Sequence, residues 1–160
     1  MDRINEILNH HLFIQHLRKN MAAEAERRFC RHDMAHFLDV ARIGMIMNMA
    51  EGLGLSGDLI YGAALLHDLG KHRQYEEGIP HEEASARIAP GILRDCGFDD
   101  NETSVIIDAI RQHRNRETGA ERNLRGLLYR ADKASRPCFL CDAEQECSWD
   151  DKKKNRRIVY

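Results

Sequence analysis

The chain has 160 residues, enough for one ordinary domain with a substantial hydrophobic core. Hydrophobic residues make up 42% of it and charged residues 31%, which is typical of a globular protein and excludes a disordered one. Its 24 basic and 26 acidic side chains give a net charge of −2, which argues against a binder of nucleic-acid polymers, and no apolar run is long enough for a membrane span.

Apolar residues recur at spacings of three and four along the chain, and strand signatures are almost absent. The N-terminal stretch predicts one amphipathic helix, whose apolar stripe consists of Ile4, Ile7, Leu8 and Leu12. A second helix is predicted over residues 33–51, with Gly52 as its stop. The next helix, almost wholly apolar, is capped by Ser56 or Asp58 and ends at Gly70.

The second half of the chain continues the helical pattern. After a polar turn, Pro80 suits the first position of a helix that runs to Cys96. Residues 99–101 offer a cap for a helix that ends near His113, and a polar loop over residues 114–122 precedes a last core helix. We therefore predict an all-α protein, a single bundle of about six or seven helices.

These helices are predicted to form one domain in three parts. Residues 1–30 would pack on the core, residues 31–137 would form it, and residues 138–160 would follow as a Cys-containing segment that does not fold independently. The number of cysteines, five, is odd, and the N-terminus lacks the apolar core of a signal peptide. We therefore expect a cytoplasmic protein whose thiols are free or metal-bound.

Charged groups at the end of an apolar helix make residues 65–71 (LLHDLGK) the most informative stretch. Burying the imidazole of His67 and the carboxylate of Asp68 is unfavourable unless each is paired or bound to a cation. In an isolated dipeptide these groups would more often cap carbonyls or form a surface ion pair. His36 and Asp132, however, lie among apolar neighbours on two other predicted helices. A divalent cation where the helices meet would satisfy all four groups.

The order His36, then His67-Asp68, then Asp132 resembles the HD superfamily of metal-dependent phosphohydrolases, all-helical enzymes named for that dipeptide. The resemblance covers roughly residues 31–136. It implies that the core is an HD domain whose four polar side chains bind a divalent transition metal, Fe, Mn, Zn, Co or Ni. It also implies cleavage of a phosphoester or phosphoanhydride bond by a metal-bound hydroxide.

Two further histidines extend this resemblance. His81 starts one predicted helix and His113 ends another, which are ordinary positions for exposed histidines. In binuclear HD proteins, however, histidines between the dipeptide and the final Asp bind a second ion. The motifs HDLGK, PHEEASA, AIRQH and YRADKASR resemble in particular the bacterial HD hydrolases that split diadenosine tetraphosphate symmetrically. The resemblance thus favours two ions over one, with Asp68 as their bridge.

Basic residues concentrate near the predicted ligands. From residue 111 to residue 136, eight side chains are basic and three are acidic, a local charge of +5. We predict Lys71 and Asp68 as catalytic residues, and Lys71, Arg114 and Arg136 as residues that bind the substrate's phosphate. A solvated basic face is the alternative for each arginine. The expected partner is a small phosphorylated molecule, a nucleotide or dinucleoside polyphosphate.

The C-terminal segment contains a C-x-x-C pair, Cys138 and Cys141, followed by Cys147. Such a pair can hold zinc or an iron–sulfur cluster, or it can cycle as a dithiol. Cys30 would be the fourth thiol of a second metal site. The alternative is a set of ordinary cytosolic thiols.

His32 precedes His36 by four residues, so both can share one helix face. It could be a ligand, a phosphate contact or part of a helix start. We favour the helix start or a residue that supports the ligands from behind.

Two other classes of function stay open. One is an HD-fold diiron oxygenase. The many cations near the predicted ligands favour hydrolysis over this alternative. The other is a non-catalytic sensor module that binds metal or nucleotide, against which the intact ligand set argues. The oligomeric state is also open, with a homodimer as one option.

Overall fold

Eight α-helices and no strand make up the structure, a computed structural model that describes residues 1–160. The predicted all-α class is thereby confirmed. None of the helices combines the length and the hydropathy that a membrane span needs. In chain order the helices are α1 (Asp2–Asn9), α2 (His11–Ala23), α3 (Met34–Glu51), α4 (Gly57–Leu66), α5 (Lys71–Glu77), α6 (His81–Asp95), α7 (Asp100–Gln112) and α8 (Leu124–Ala134).

Polar caps and a left-handed glycine define several of the helix boundaries. The side chain of Asp33 accepts a hydrogen bond from a backbone N–H at the start of α3, and Ser56 does the same for α4. Gly52 ends α3 with a φ of 62°. At the start of α7, Asp99 and Glu102 form a reciprocal capping box. Local sequence therefore determines where these helices begin and end.

Two features raise the number of helices above the predicted six or seven. The apolar stripe from Ile4 to Leu12 does not lie on one helix as predicted, because His10 has an extended backbone that separates α1 from α2. The polar turn predicted after Gly70 is wrong as well, because Lys71–Glu77 forms α5. Three short 3-10 helices lie between or after the α-helices, at Arg116–Ala120, Cys138–Leu140 and Glu144–Glu146.

The hydrophobic core lies between the longer helices, where α3 packs against α4 and α8, and α6 packs against α7. It contains 26 buried residues, among them the fully buried Phe37, Leu65, Leu66, Ile106 and Ile110. Burial of such side chains supplies most of the stability of a domain of this size. The C-terminal ends of α4 and α7 and the N-terminal end of α6 meet at one end of this core.

The turn between α4 and α5 lies close against α6. A Cβ atom on Gly70 would come within 2.6 Å of the Cβ of Ala84 and of the backbone nitrogen of Ser85, so only glycine fits. The N–H of Gly70 donates to the hydroxyl of Ser85 at 2.9 Å. The N–H of Lys71 donates to the carbonyl of Asp68 at 3.0 Å. These contacts fix the turn on α6.

Residues 135–160 contain no α-helix. Ion pairs join this segment to the connection between α2 and α3 and to itself: Arg28 lies 2.9 Å from Glu146, and Lys154 lies 3.0 Å from Glu144. The three-part division of the chain stays a prediction.

Candidate metal centre

Two groups of buried ionisable side chains meet at the end of the core. In each group the potential ligand atoms all lie within 4.8 Å of one another. The first group consists of His36, His67, Asp68 and Asp132, and the second consists of Asp68, His81 and His113. The structure thus brings together all six residues that were predicted as metal ligands, although their role as ligands stays a prediction.

Asp68 belongs to both groups, and its two oxygens face different neighbours. Its Oδ2 lies 3.1 Å from Nε2 of His67 and 3.6 Å from Nε2 of His36. Its Oδ1 lies 3.1 Å from Nε2 of His81 and 3.4 Å from Nε2 of His113. The carboxylate therefore stands between two sets of imidazole nitrogens, as a ligand shared by two ions would.

Hydrogen bonds behind the rings decide which nitrogen faces the centre. The Nδ1–H of His67 donates to the carbonyl of Ala64 at 2.7 Å, and that of His113 donates to the carbonyl of Ile110 at 2.6 Å. Each imidazole therefore turns its Nε2 towards the centre. Metal-binding histidines are usually oriented in this way.

His36 and His81 are oriented by side chains instead. The Nδ1–H of His36 donates to the hydroxyl of Ser135 at 3.2 Å, and that hydroxyl donates to the carbonyl of Asp132 at 2.8 Å. The Nδ1–H of His81 donates to Oε1 of Gln74. All four imidazoles of the two groups thus have a partner on Nδ1 and present Nε2 to the centre.

Two buried atoms of the centre have no hydrogen-bond partner, Nε2 of His67 and Oδ1 of Asp68. Buried polar atoms are rarely left unpaired, because the loss of hydration is then uncompensated. A cation between the side chains would satisfy both atoms. The donor set of imidazole nitrogens and carboxylate oxygens suits Mn, Fe, Co, Ni or Zn.

The charges of the centre depend strongly on one another. Burial by itself would raise the pKa of Asp68, but the neighbouring histidines, His67 first, hold it well below its usual range. Burial would likewise lower the pKa of His67, but the carboxylates of Asp68 and Asp132 raise it to about 10. Without a metal ion, the two carboxylates therefore hold a proton on His67. A bound ion has to displace that proton.

A cavity of about 570 Å³ opens onto the two groups and is lined by Asp68, Asp132, His81 and His113. The three cations predicted to bind phosphate also line it: Lys71, Arg114 and Arg136. Three further cations line the wall and were not predicted from the sequence: Arg27, Lys153 and Lys154. A small polyanion that entered the cavity would be surrounded by positive charge.

Arg136 lies closest to the first group. Its Nη2 donates to Nε2 of His36 at 3.0 Å and lies 3.4 Å from Oδ1 of Asp132 and 3.9 Å from Oδ2 of Asp68. The guanidinium group is buried beside the carboxylates. It can therefore reach an oxygen of a phosphoryl group at this position.

Lys71 and Arg114 have different environments. Burial lowers the pKa of Lys71, against the opposing charge of Asp68, and its Nζ lies 3.2 Å from Nδ1 of His81. Arg114 is exposed and lies 3.3 Å from the carboxylate of Glu82. Lys71 thus lies on the buried part of the cavity wall, whereas Arg114 lies on the solvent-exposed part of that wall.

The four cysteines of the predicted second metal site all line the same cavity: Cys30, Cys138, Cys141 and Cys147. Neither group of clustered ligand atoms includes a cysteine, however. The structure therefore does not gather these thiols into a compact set, and the thiol site stays a prediction.

Comparison with known proteins agrees with this arrangement. The HD domain family matches residues 34–145, a range that includes all six clustered residues. This chain belongs to the HD domain family. An uncharacterized protein from Clostridium beijerinckii (strain ATCC 51743 / NCIMB 8052) is 44% identical over 160 residues, the full length of both chains. No solved structure matches the chain.

The predicted membership of the HD superfamily is thereby confirmed. The closer resemblance to hydrolases of diadenosine tetraphosphate finds no support in these comparisons, because the relative has no described activity.

Proposed function

We propose that this HD domain protein is a metal-dependent phosphohydrolase that works with two divalent ions. The observation that carries the proposal is the position of Asp68, whose two oxygens face separate sets of imidazoles. A carboxylate in this position can bridge two ions. Pairs of ions about 3.5–4 Å apart are typical of phosphatases and nucleases.

The six clustered residues divide naturally between the ions. One ion would be held by His36, His67, Asp68 and Asp132, and the other by Asp68, His81 and His113. When bound, such ions lower the pKa of water and polarise the oxygens of a phosphoryl group.

The cations of the cavity wall would bind and orient the substrate. Arg136 places its guanidinium charge beside the first set of ligands, where it can donate to an oxygen of a phosphoryl group. Lys71 supplies a second positive charge near His81, from a buried position where its charge is weakly screened. Both side chains neutralise negative charge that grows on the phosphoryl oxygens during the reaction.

We further propose a nucleotide or dinucleoside polyphosphate as the substrate. The cavity of about 570 Å³ is large enough for a molecule of nucleotide size. Pockets that bind small molecules and cofactors usually have volumes of about 300–1,000 Å³. Tyr129 and Trp149 belong to the wall as well and offer aromatic surface to a base. The cations account for affinity to phosphate.

Metal analysis and a nucleotide screen test the proposal together. We expect protein purified without oxygen to contain close to two ions per chain and to release phosphate or nucleotide when Mn, Fe, Co or Ni is supplied. The Asp68→Ala variant should lose both metal and turnover. Asp39→Ala, which removes an exposed carboxylate from the neighbouring helix α3, should keep both.

Turnover that persists in Asp68→Ala would contradict the proposal. An assay without oxygen separates hydrolysis from dioxygen chemistry, because cleavage of a phosphate ester needs water alone. Products that form only in the presence of oxygen would favour the oxygenase.

A further inference from the structure

A fifth histidine faces the centre without belonging to either group of ligands. The Nδ1–H of His32 donates to Oε1 of Glu24 at 2.6 Å, and its backbone N–H donates to Oε2 of the same carboxylate, also at 2.6 Å. The hydroxyl of Tyr75 donates to Oε1 of Glu24 at 2.7 Å. Glu24 is only 2% exposed. A buried carboxylate thus holds both the backbone and the ring of His32.

The other ring nitrogen of His32 points at the centre. Its Nε2 lies 3.6 Å from Oδ2 of Asp68, which is too long for a hydrogen bond. The ring centroid lies 5.8 Å from that of His36 and 6.4 Å from that of His81, and His32 lines the cavity. Because its Nδ1–H is bonded to Glu24, Nε2 offers an unused lone pair to whatever occupies the cavity.

This position differs from that of the ligands. Ligand atoms of one octahedral ion lie within about 4.5 Å of one another, since metal–ligand bonds to N and O are about 2.0–2.2 Å long. Within each of the two groups the potential ligand atoms lie within 4.8 Å of one another, close to that spacing, and His32 is in neither group. The ring therefore lies beside the ion positions and faces a molecule bound between them and the cavity.

We propose that His32 is a catalytic residue that accepts a hydrogen bond from the attacking water at Nε2, and that Glu24 is the positioning residue that holds His32 in the required tautomer. This assignment rests on the proposed hydrolase function. His32 directs a lone pair of the water oxygen towards phosphorus, and Glu24 acts only through His32. A carboxylate that fixes the tautomer of a histidine is a recurring arrangement in enzymes that use water or hydroxyl nucleophiles.

Variants of the two residues test the assignment in the metal-loaded protein. We expect His32→Ala to bind as much metal as the wild type and to keep its helix content, whereas kcat falls about 10²-fold or more with little change in KM. Glu24→Gln should lower kcat about tenfold, because the ring is then less well oriented. His11→Ala, an exposed histidine on α2, is the matched control and should behave as the wild type.

Nitrogen-15 NMR of histidine-labelled, metal-free protein gives a readout that does not depend on activity. We expect one Nδ1–H, that of the histidine bonded to a buried carboxylate, to give an unusually downfield proton signal, and this signal to be absent from His32→Ala and shifted in Glu24→Gln. A proton found on Nε2 of His32 would overturn the assignment.

The outcomes of the kinetic test are distinct. If the wild type turns over and His32→Ala retains its kcat, His32 does not contact the attacking water and the assignment fails while the hydrolase function stands. If His32→Ala loses metal in parallel with Asp68→Ala, His32 is a ligand and the assignment also fails. If the wild type is fully metal-loaded and hydrolyses no phosphate ester, the hydrolase function itself fails.

Discussion

Two imidazoles of the centre, those of His67 and His113, are oriented by the helices that they terminate. Each ring N–H bonds to a carbonyl three residues earlier, in Ala64 and Ile110, at a helix end where carbonyls can accept from groups outside the regular helix. No other side chain is needed to fix these rings. The ends of α4 and α7 therefore supply the position, the tautomer and the direction of two potential ligands at once.

Glu24 makes the free energy of unfolding depend on pH in the acidic range. Burial by itself would raise its pKa, but hydrogen bonds from His32 and Tyr75 lower it from the ordinary 4.5 to about 2. A carboxylate with a lowered pKa stabilises the fold above the unfolded-state pKa, and this contribution is lost as the pH falls from about 4.5 towards 2. Between pH 6 and pH 3, the free energy of unfolding of the wild type should fall by about 2 kcal/mol more than that of Glu24→Gln.

Urea unfolding of both proteins without metal at pH 6, 4 and 3 measures the difference. The variant is the less stable protein at pH 6, because a buried carboxylate with three hydrogen bonds is replaced by an amide that accepts fewer. The quantity to compare is therefore how steeply the free energy of unfolding of each protein changes with pH. Parallel curves for the two proteins would show that Glu24 is not held in its charged form.

For single residues, the sequence predicts which side chains belong to the centre better than it predicts their hydrogen-bond partners. His36, His67 and Asp132 stand out because ionisable side chains in apolar stretches need a partner. Ser135 and Glu24 gave no comparable signal, since a serine or glutamate on a polar helix end is ordinary. Their importance comes from distant contacts that no local pattern reports, such as the bond between His36 and Ser135.

Among the elements, the turn between α4 and α5 determines how the two groups meet. Gly70→Ala would put a Cβ atom 2.6 Å from backbone and side-chain atoms of α6, so the turn has to move away from that helix. We expect a loss of about 1–3 kcal/mol in the free energy of unfolding. The shift also separates Asp68 from His81, so bound metal should fall towards one ion per chain.

Gly91 provides the control for that substitution. Gly91 lies in α6, the helix against which the turn packs, and a Cβ atom there would have no neighbour within 4 Å. Gly91→Ala should therefore raise the free energy of unfolding by up to about 1 kcal/mol, through helix propensity, and leave the metal content unchanged. Chemical unfolding and metal analysis of the two variants decide the matter; equal behaviour would mean that the close approach of the turn is unimportant.

Helix boundaries with a local chemical cause were predictable, and the others were not. The alternatives Ser56 or Asp58 and residues 99–101 were predicted to hold caps, and Ser56 and Asp99 are the residues that serve as caps. The break at His10 was missed because the apolar stripe continues across it. Helix α5 was missed because its sequence, KHRQYEE, has no apolar stripe; a distant side chain, Asn20, accepts from the N–H of His72 at its start.

Over the whole molecule, the cavity wall draws on segments that are far apart in the chain. The local charge of +5 over residues 111–136 predicted part of the cationic wall. Arg27 precedes this region by more than eighty residues, and Lys153 and Lys154 lie beyond it, near the end of the Cys-containing segment. Their convergence results from the path of residues 135–160 back across the cavity, which composition alone does not encode.

The position of Lys153 gives this convergence a measurable consequence. Lys153 and its neighbour Lys152 are both exposed, but only Lys153 lines the cavity. Lys153→Ala should raise the KM for a phosphorylated substrate by up to about fivefold, the equivalent of one exposed charge pair, without changing kcat or metal content. Lys152→Ala removes the same charge from the adjacent position and should leave KM unchanged.

The difference in KM between the two variants should shrink as salt is added, because screening weakens exposed charge interactions. Equal KM values for the two variants at low salt would mean that residues 135–160 do not contribute to the substrate site.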